Sequence, residues 1–374
     1  MNKIKKNNKL NILFIIPSFR GGGSERVILN ILTHINRKTF KSTLALLQKK
    51  GPYLSDLPDD IDVIDLKCSR IRFAGIRIYK LILSIKPDIV MTTLNHLNFL
   101  MAILNPFFPR NIVFIARESI ISSFYINTTP FTSLSKILYK KFYMNFDKII
   151  CQSSDMKNDL IKAFDISYNK ITIINNPCDI DRISKLISNF PKKIKNNNIT
   201  NLIAVGRLEK QKGFDLLIKA FAKLDPNRFY LTILGQGSEY NNLQELIKGY
   251  NLYDRVKMEG FKTNPYKYMT EADIFILSSR YEGFPNVVLE AMACGTPVVA
   301  FKCPGGIDEI IIDNVNGFLV KQNDIDELAE KINKASNFYI NPEKIRMSII
   351  QKFSCDKIVS KYEDVFLRLA SQKV

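Results

Sequence analysis

Asp273-Ile274-Phe275-Ile276-Leu277-Ser278-Ser279-Arg280-Tyr281-Glu282-Gly283-Phe284-Pro285-Asn286-Val287-Val288-Leu289-Glu290-Ala291 decides how this chain folds. The apolar run within 273–278 reads as a strand buried on both faces. Pro285 suits the first turn of a helix, which Val288, Leu289 and Met292 continue as its packed side. The stretch is therefore one strand, one loop and one helix. Glu282 falls in the loop at the carboxyl end of the strand. Glu290 falls in the second helical turn, on the cleft side if the helix packs by those three residues. The amides near Asn286, Val287 and Val288 are free to meet an anion at the helix start.

The same unit recurs along the chain. Strands are expected at 11–16, 43–47, 62–66, 88–92, 111–116, 148–152 and 171–174. A second set follows at 201–206, 229–234, 255–259, 273–278, 297–301 and 318–320. Helical stretches such as 25–36, 213–224, 239–249, 286–293 and 324–336 lie between them. Repeated βα order implies parallel sheets covered by helices on both faces. The polar segment 189–200, which carries Pro191 and no period, is the linker. The fold class is thus α/β, with two Rossmann-like α/β/α domains facing each other across a cleft. Ligands of such sheets bind at the carboxyl ends of the strands.

Composition narrows the partners. The chain has 374 residues, 46% hydrophobic and 24% charged. That is ordinary globular composition, enough for two domains of roughly 100–200 residues. It excludes a disordered chain, collagen, a coiled coil and a small disulfide scaffold. Lys and Arg number 54 against 36 acidic residues, a formal charge of +18. Residues 1–180 hold 26 of the bases and 13 of the acids. A basic first half fits nucleic acid, an acidic lipid surface or a phosphorylated substrate, and equally a solvated Lys-rich surface. The six cysteines form no C-x-x-C pair and read as reduced core thiols of a cytoplasmic protein. With two histidines, His34 and His96, no His-rich metal site is available.

Residues 89–109 carry no formal charge and are long enough to span a bilayer. Polar Thr92, Thr93, Asn95, Asn98 and Asn105 and two prolines interrupt them, which favours a strand, a short buried helix and a loop. Directly after, Phe124, Tyr125, Phe131, Tyr139, Phe142 and Tyr143 interleave with Lys136, Lys140, Lys141 and Lys148. That mixture suits a membrane interface, with a core helix carrying lysines on its wet face as the alternative.

Two further loops matter. Gly21-Gly22-Gly23 follows the first strand, and consecutive glycines before a helix let an anion approach backbone amides. A plain strand-to-helix turn reads the same way. A dinucleotide fingerprint would need glycine at position 26, where Arg26 stands, and no G-x-x-x-x-G-K-[ST] occurs. NAD enzymes and P-loop NTPases both lose ground. The second loop is Gly206-Arg207-Leu208-Glu209-Lys210-Gln211-Lys212-Gly213. Arg207 at a strand end and Lys212 at the start of the following helix can together neutralise a diphosphate, although an Arg and a Lys in a loop also fit plain surface charge.

The Gly-rich first loop, the G-R-x-x-x-x-K-G loop and the E-x7-E pair of Glu282 and Glu290 occur in this order. Together the chain resembles the retaining GT-B glycosyltransferases of family 4 over essentially its whole length. Asn175-Asn176-Pro177-Cys178-Asp179, Gly235-Gln236-Gly237, Glu259-Gly260-Phe261, Pro304-Gly305-Gly306 with Glu309, and Asn316-Gly317 agree with it. The resemblance implies an acceptor domain at 1–188, a donor domain at 189–355, and a final helix over 356–374 that crosses back onto the first domain. It implies that Arg207 and Lys212 bind the donor diphosphate and stabilise the departing charge, that Glu282 contacts the donor sugar, and that Glu290 takes the ribose. Gly22 and Gly23 would lie near the phosphates and acceptor, amides of Gly283, Phe284, Asn286 and Val287 would finish the pocket, and Gly260 and Phe261 would flank the base.

Many members of that family carry a histidine at the strand end that here reads Ile115-Ala116-Arg117-Glu118-Ser119. Arg117, Glu118 and His96 are therefore candidates for the acceptor side. Asp60-Ile61-Asp62, Asp179-Ile180-Asp181 and Asp324-Ile325-Asp326 all match a D-x-D metal pattern, which three occurrences make uninformative, and no metal is expected. The resemblance implies a metal-independent hexose or N-acetylhexosamine transfer with retention. The donor would be UDP-linked first and GDP-linked second, with no separate cofactor. The acceptor would be a lipid-linked saccharide of surface polysaccharide or glycan assembly, met on the cytoplasmic face of the membrane by a peripheral protein. A nucleotide-binding oxidoreductase on the same layers, a basic nucleic-acid binder and a dead scaffold are the competing readings.

Overall fold

The computed structural model describes residues 9–127, 132–188 and 199–373. These divide into two compact units, Met1–Pro177 with Cys355–Val374, and Cys178–Ser354. Most of the linker expected at 189–200 lies outside the described residues.

The first unit is built on seven parallel strands, β1 (Leu10–Ile16), β2 (Phe40–Leu46), β3 (Asp62–Asp65), β4 (Ile89–Thr93), β5 (Val113–Arg117), β6 (Lys148–Cys151) and β7 (Ile171–Ile173). Their order is β3-β2-β1-β4-β5-β6-β7. The helices are α1 (Gly23–His34), α2 (Gly75–Ile85), α3 (Asn95–Leu104), α4 (Ser122–Asn127), α5 (Thr132–Tyr143) and α6 (Ser154–Phe164). Alternate residues of β1 enter opposite layers, as period two requires. Leu13 and Ile15 pack with Ile78 and Ile82 of α2. Ile12, Phe14 and Ile16 pack with α1 and with the last helix, where Phe14 meets Phe366 edge-on at 6.4 Å.

The second unit starts with α7 (Ile180–Ile187) and continues β8 (Thr200–Val205), α8 (Phe214–Phe221), β9 (Phe229–Leu234), α9 (Tyr240–Gly249), β10 (Val256–Met258) and α10 (Tyr266–Glu271). Then come β11 (Ile274–Leu277), α11 (Asn286–Ala293), β12 (Val298–Phe301), α12 (Ile307–Ile310), β13 (Gly317–Val320), α13 (Ile325–Asn337) and α14 (Pro342–Phe353). The strand order is β10-β9-β8-β11-β12-β13, again parallel. The final helix α15 (Cys355–Lys373) belongs to the first unit.

All thirteen expected strands are present. The expected domain boundary at 188 differs from the observed one. Ile180 and Ile183 are buried in the second unit's core, so α7 belongs there and the first unit breaks off at Pro177. The uncharged stretch 89–109 is β4, the ten-residue α3 and a short turn. Among the described residues no helix is long and apolar enough to cross a membrane. All six cysteines are free and buried, and burial pushes the Cys294 thiol up to about 12.

Each sheet reverses its winding once, between β1 and β4 and between β8 and β11. At such a switch point the two following helices lie on opposite faces, and the loops leaving the strands open a crevice. The loops after β8 and β11 are the two stretches that the sequence singles out.

Candidate active site

In the second unit β8 and β11 pair directly, Leu202 beside Ile274 and Ile203 beside Phe275. Their carboxyl ends release residues 206–213 and 278–285 side by side. The loops are tied to each other. The Arg280 amide donates to the Gln211 carbonyl at 2.8 Å. The Gln211 side chain donates to the Tyr281 carbonyl at 2.9 Å, and Ser278 Oγ to the Lys212 carbonyl at 2.9 Å. Glycine permits this approach. At Gly213, φ is +61° and a Cβ would stand 2.0 Å from the Ser278 carbonyl oxygen. At Gly305, φ is +126° and a Cβ would stand 2.3 Å from the Glu282 carbonyl oxygen, so the 304–306 loop closes on Glu282 from the β12 side.

This frame brings Lys212 and Glu282 together. Lys212 Nζ donates to Glu282 Oε1 at 2.6 Å, with side-chain exposures of 14% and 8%. Ser279 Oγ donates to the same oxygen at 2.6 Å, and the Glu282 amide donates to the Pro304 carbonyl at 2.9 Å. A buried carboxylate demands such compensation. Lys212 ends a 3-10 turn, Lys210–Lys212, rather than opening α8, which starts at Phe214.

Arg207 leaves β8 into solvent, and among the described residues its guanidinium has no hydrogen-bond or ion-pair partner. Lys210 of the same loop is likewise exposed, its carbonyl accepting from Arg280 at 2.7 Å. Arg280 is instead committed. It forks onto Asp215 with two bonds of 2.8 Å and onto the Lys210 carbonyl at 2.7 Å. Burial works to raise the Asp215 pKa, but the Arg280 fork outweighs it and holds the carboxyl below its usual range. Gln322 braces the Arg280 carbonyl from beyond β13 at 2.6 Å. Ser279, Gln211, Asp215 and Gln322 have no local signature, because their partners are distant in sequence.

Glu290 is half-buried on the second turn of α11. Gly283 is buried, Asn286 and Val287 are half-buried at the helix start, and the Phe284 ring packs on Phe353 at 5.8 Å. Only the backbone of Phe284 can therefore serve a ligand. Gly260 has φ +72° with open space around it, its carbonyl accepts from the Gly235 amide at 2.9 Å, and Phe261 is exposed.

In the first unit the glycine loop is already occupied by the chain itself. Glu25, at the third position of α1, reaches back so that Oε2 accepts the Gly21 and Gly22 amides at 2.7 and 2.8 Å. Tyr53 donates to the Gly21 carbonyl from the other side at 3.3 Å. Burial raises the Glu25 pKa against the pull of those amides. Gly22 therefore does not offer its amide to an anion in this conformation, contrary to the sequence expectation. Gly23 is the first residue of α1.

Arg117 and Glu118 also depart from expectation. Both side chains are wholly buried, so neither faces an acceptor. Arg117 donates to Asn176 Oδ1 at 2.6 Å, Tyr362 Oη at 3.1 Å and Thr93 Oγ1 at 3.3 Å, which joins β5, the chain just before Pro177, and α15. Glu118 accepts from Asn98 and Tyr143 on Oε1, and from Ser122 and Tyr139 on Oε2. Burial raises its pKa despite these four donors. His96 is exposed at the start of α3, with its pKa lowered by partial desolvation. Of the D-x-D aspartates, Asp179 and Asp324 cap α7 and α13, and Asp60 pairs with Arg37.

The fold and the switch-point site define a class, and comparison with known proteins places the chain within it. Residues 21–182 match the family model Glycosyltransferase Family 4, and residues 187–351 match Glycosyl transferases group 1. The N-acetylgalactosamine-N,N'-diacetylbacillosaminyl-diphospho-undecaprenol 4-alpha-N-acetylgalactosaminyltransferase of Campylobacter jejuni is 30% identical over 366 residues, 93% of this chain and 97% of that protein. The poly(ribitol-phosphate) alpha-N-acetylglucosaminyltransferase of Staphylococcus aureus is 31% identical over 58% of this chain and 43% of its own. Crystal structures of a glycosyltransferase from Rickettsia africae and of Anabaena HepE with UDP each superpose with a TM-score of 0.76 at 21% and 22% identity. They cover 96% of this chain and 98% and 100% of theirs. The chain belongs to glycosyltransferase family 4 and has the two-domain GT-B fold.

Proposed function

We propose that this glycosyltransferase moves a hexose or N-acetylhexosamine, with retention and without a metal ion, from a nucleotide-diphosphate sugar onto a lipid-linked saccharide. The observation that carries the reading is the buried Lys212–Glu282 pair at the β8/β11 switch point, in the loop that also carries Arg207, which has no partner among the described residues. UDP is the first nucleotide, supported by the UDP held in the Anabaena structure, and GDP the second. The diphospho-undecaprenol in the name of the Campylobacter relative supports the acceptor class and a place on the cytoplasmic membrane face.

The chemistry follows from charge. Breaking the glycosidic bond leaves negative charge on the nucleotide diphosphate. Arg207, Lys212 and the amides at the start of α11 stabilise that charge before and during departure. Glu282 accepts hydrogen bonds from the sugar hydroxyls while neutralising Lys212 in the resting site. Glu290 accepts from the two ribose hydroxyls, a task suited to a carboxylate. The sugar becomes oxocarbenium-like, and the acceptor hydroxyl attacks the face that the diphosphate leaves, forming the new C–O bond as the bond to the diphosphate breaks and passing its proton to the departing diphosphate oxygen.

The test is transfer of label from a panel of UDP- and GDP-sugars to an undecaprenyl-diphosphate saccharide, in EDTA. Organic-extractable product from one donor supports the reading. Absence of product from every donor, with NADH binding instead, overturns it in favour of an oxidoreductase.

A further inference from the structure

Glu282 carries both of its side-chain donors on one oxygen. Lys212 Nζ and Ser279 Oγ each donate to Oε1 at 2.6 Å. Oε2 has no donor among the described residues and is not sealed from solvent. A carboxylate offers about four lone-pair sites, two on each oxygen, so Oε1 is filled and Oε2 is open. The supports of this asymmetry come from both central strands. Ser279 follows the end of β11 and is buried. On one side of it Ser278 Oγ donates to the Lys212 carbonyl at 2.9 Å, and on the other the Arg280 amide donates to the Gln211 carbonyl at 2.8 Å. Ser279 therefore cannot shift without pulling on the 206–213 loop. The lysine stem is fixed as well. A Cβ on Gly206 would stand 3.3 Å from both Cδ and Cε of Lys212, so the stem lies against the end of β8.

We propose that Ser279 is a positioning residue for the donor sugar: its hydroxyl locks the Glu282 carboxylate so that Oε2 alone accepts from the sugar while Oε1 keeps the lysine. The inference deepens the transferase reading and rests on it. Without Ser279 Oγ, one site on Oε1 falls empty, and rotation about the last bond of the side chain exchanges the two oxygens. Lys212 does not prevent that exchange, because an ammonium is a point charge with three rotatable donors and follows either oxygen. The serine hydroxyl has a single proton, delivered from a strand end that the two loops hold still, and it selects one orientation. A sugar that meets a carboxylate of variable orientation is misplaced against its leaving group, and misplacement by about 1 Å costs on the order of a hundredfold in rate. Ser279 touches neither nucleotide nor sugar in this account, so its effect reaches the reaction through Glu282 only.

The full chain, Ser279→Ala and Ser279→Thr are compared in two measurements: calorimetric binding of UDP and GDP, and steady-state transfer from the UDP- or GDP-sugar that yields product in the donor panel. In Ser279→Ala the affinity for the free nucleotide stays within about twofold, whereas kcat falls by about tenfold or more, the signature of an interaction realised beyond simple binding. Ser279→Thr restores the hydroxyl and recovers kcat to within about threefold of the unmodified chain. Unchanged kcat in Ser279→Ala overturns the proposal. So does equal impairment of the Ala and Thr variants with nucleotide affinity retained, which would make the role one of packing. Nucleotide affinity that falls in step with kcat also overturns it, because the serine would then be holding the loops and not the sugar site. Each of these results leaves the transferase reading standing. Absence of product from every donor with the unmodified chain overturns that reading, and this inference with it.

Discussion

Lys212 Nζ and Glu282 Oε1 lie 2.6 Å apart, and both side chains are largely withdrawn from water. Each residue comes from the end of a different central strand, so the pair closes the switch point of the second sheet. In the proposed reading, the charge that meets the diphosphate is held in place by the carboxylate that meets the sugar. A donor sugar bonding to Glu282 would then act directly on the lysine beside its own leaving group.

Lys212→Ala removes the cation and leaves Ser279 Oγ as the side-chain donor to Glu282 among the described residues. Breaking a buried pair in this way costs about 3–5 kcal/mol. Transfer falls by on the order of 10²–10³-fold, as for loss of one preorganised charge-stabilising donor. Urea midpoints and kcat measured together check it. A variant with unchanged stability would show that the pair is not held in solution.

Arg207→Ala gives the complementary result. The guanidinium is exposed and has no partner among the described residues, so stability moves by less than about 0.5 kcal/mol. Activity nonetheless falls by on the order of 10²-fold or more, because the diphosphate loses a cation. Parallel melting curves and transfer rates separate the two effects.

Glu118 makes stability depend on pH with a definite sign. Its folded pKa is raised by burial above the ordinary 4.5. Between the two values the folded state holds more protons than the unfolded one. Its contribution is therefore complete below about pH 4.5 and is lost as pH rises through the folded value. The unmodified chain minus Glu118→Gln, in urea midpoints from pH 4 to 8, isolates this term from the other carboxylates. The difference falls with rising pH. A difference that rises would mean a carboxylate held below its ordinary pKa.

Glu25→Ala strips the acceptor from the Gly21 and Gly22 amides. Loss of such a cap costs about 0.5–2 kcal/mol. UDP affinity stays within twofold, since the donor residues belong to the second unit. Titration calorimetry with UDP checks this, and a large loss would show that the glycine loop takes part in donor binding.

The fold was legible because its strands are buried on both faces. Runs such as Ile274 to Leu277 need no alternation to be recognised, and every expected strand formed. The donor loops were legible because Gly206, Arg207, Lys212 and Glu282 stand close in sequence to strand ends. The supports were not. Arg280 with Asp215, Gln322 with the Arg280 carbonyl, and Arg117 with Tyr362 join residues 65, 42 and 245 positions apart. Arg117 and Glu118 read as site residues because they stand at the strand end where many members of the family carry a histidine. What hides them is a ring of hydroxyls and amides delivered by α3, α4, α5 and α15. The domain boundary slipped for a related reason: Ile180 and Ile183 look alike whichever core receives them.

The central claim is a nucleotide-diphosphate site on the second unit, built on Arg207, Lys212, Glu282 and Glu290. Thermal stabilisation by UDP, GDP, ADP and NADH in EDTA, with Glu290→Ala as the control, tests it most directly. Ligand at 100 times its dissociation constant adds about 2.7 kcal/mol of stability. A shift with UDP or GDP that shrinks in Glu290→Ala is the expected result. A shift with NADH alone, or none with any nucleotide diphosphate at millimolar concentration, would contradict it.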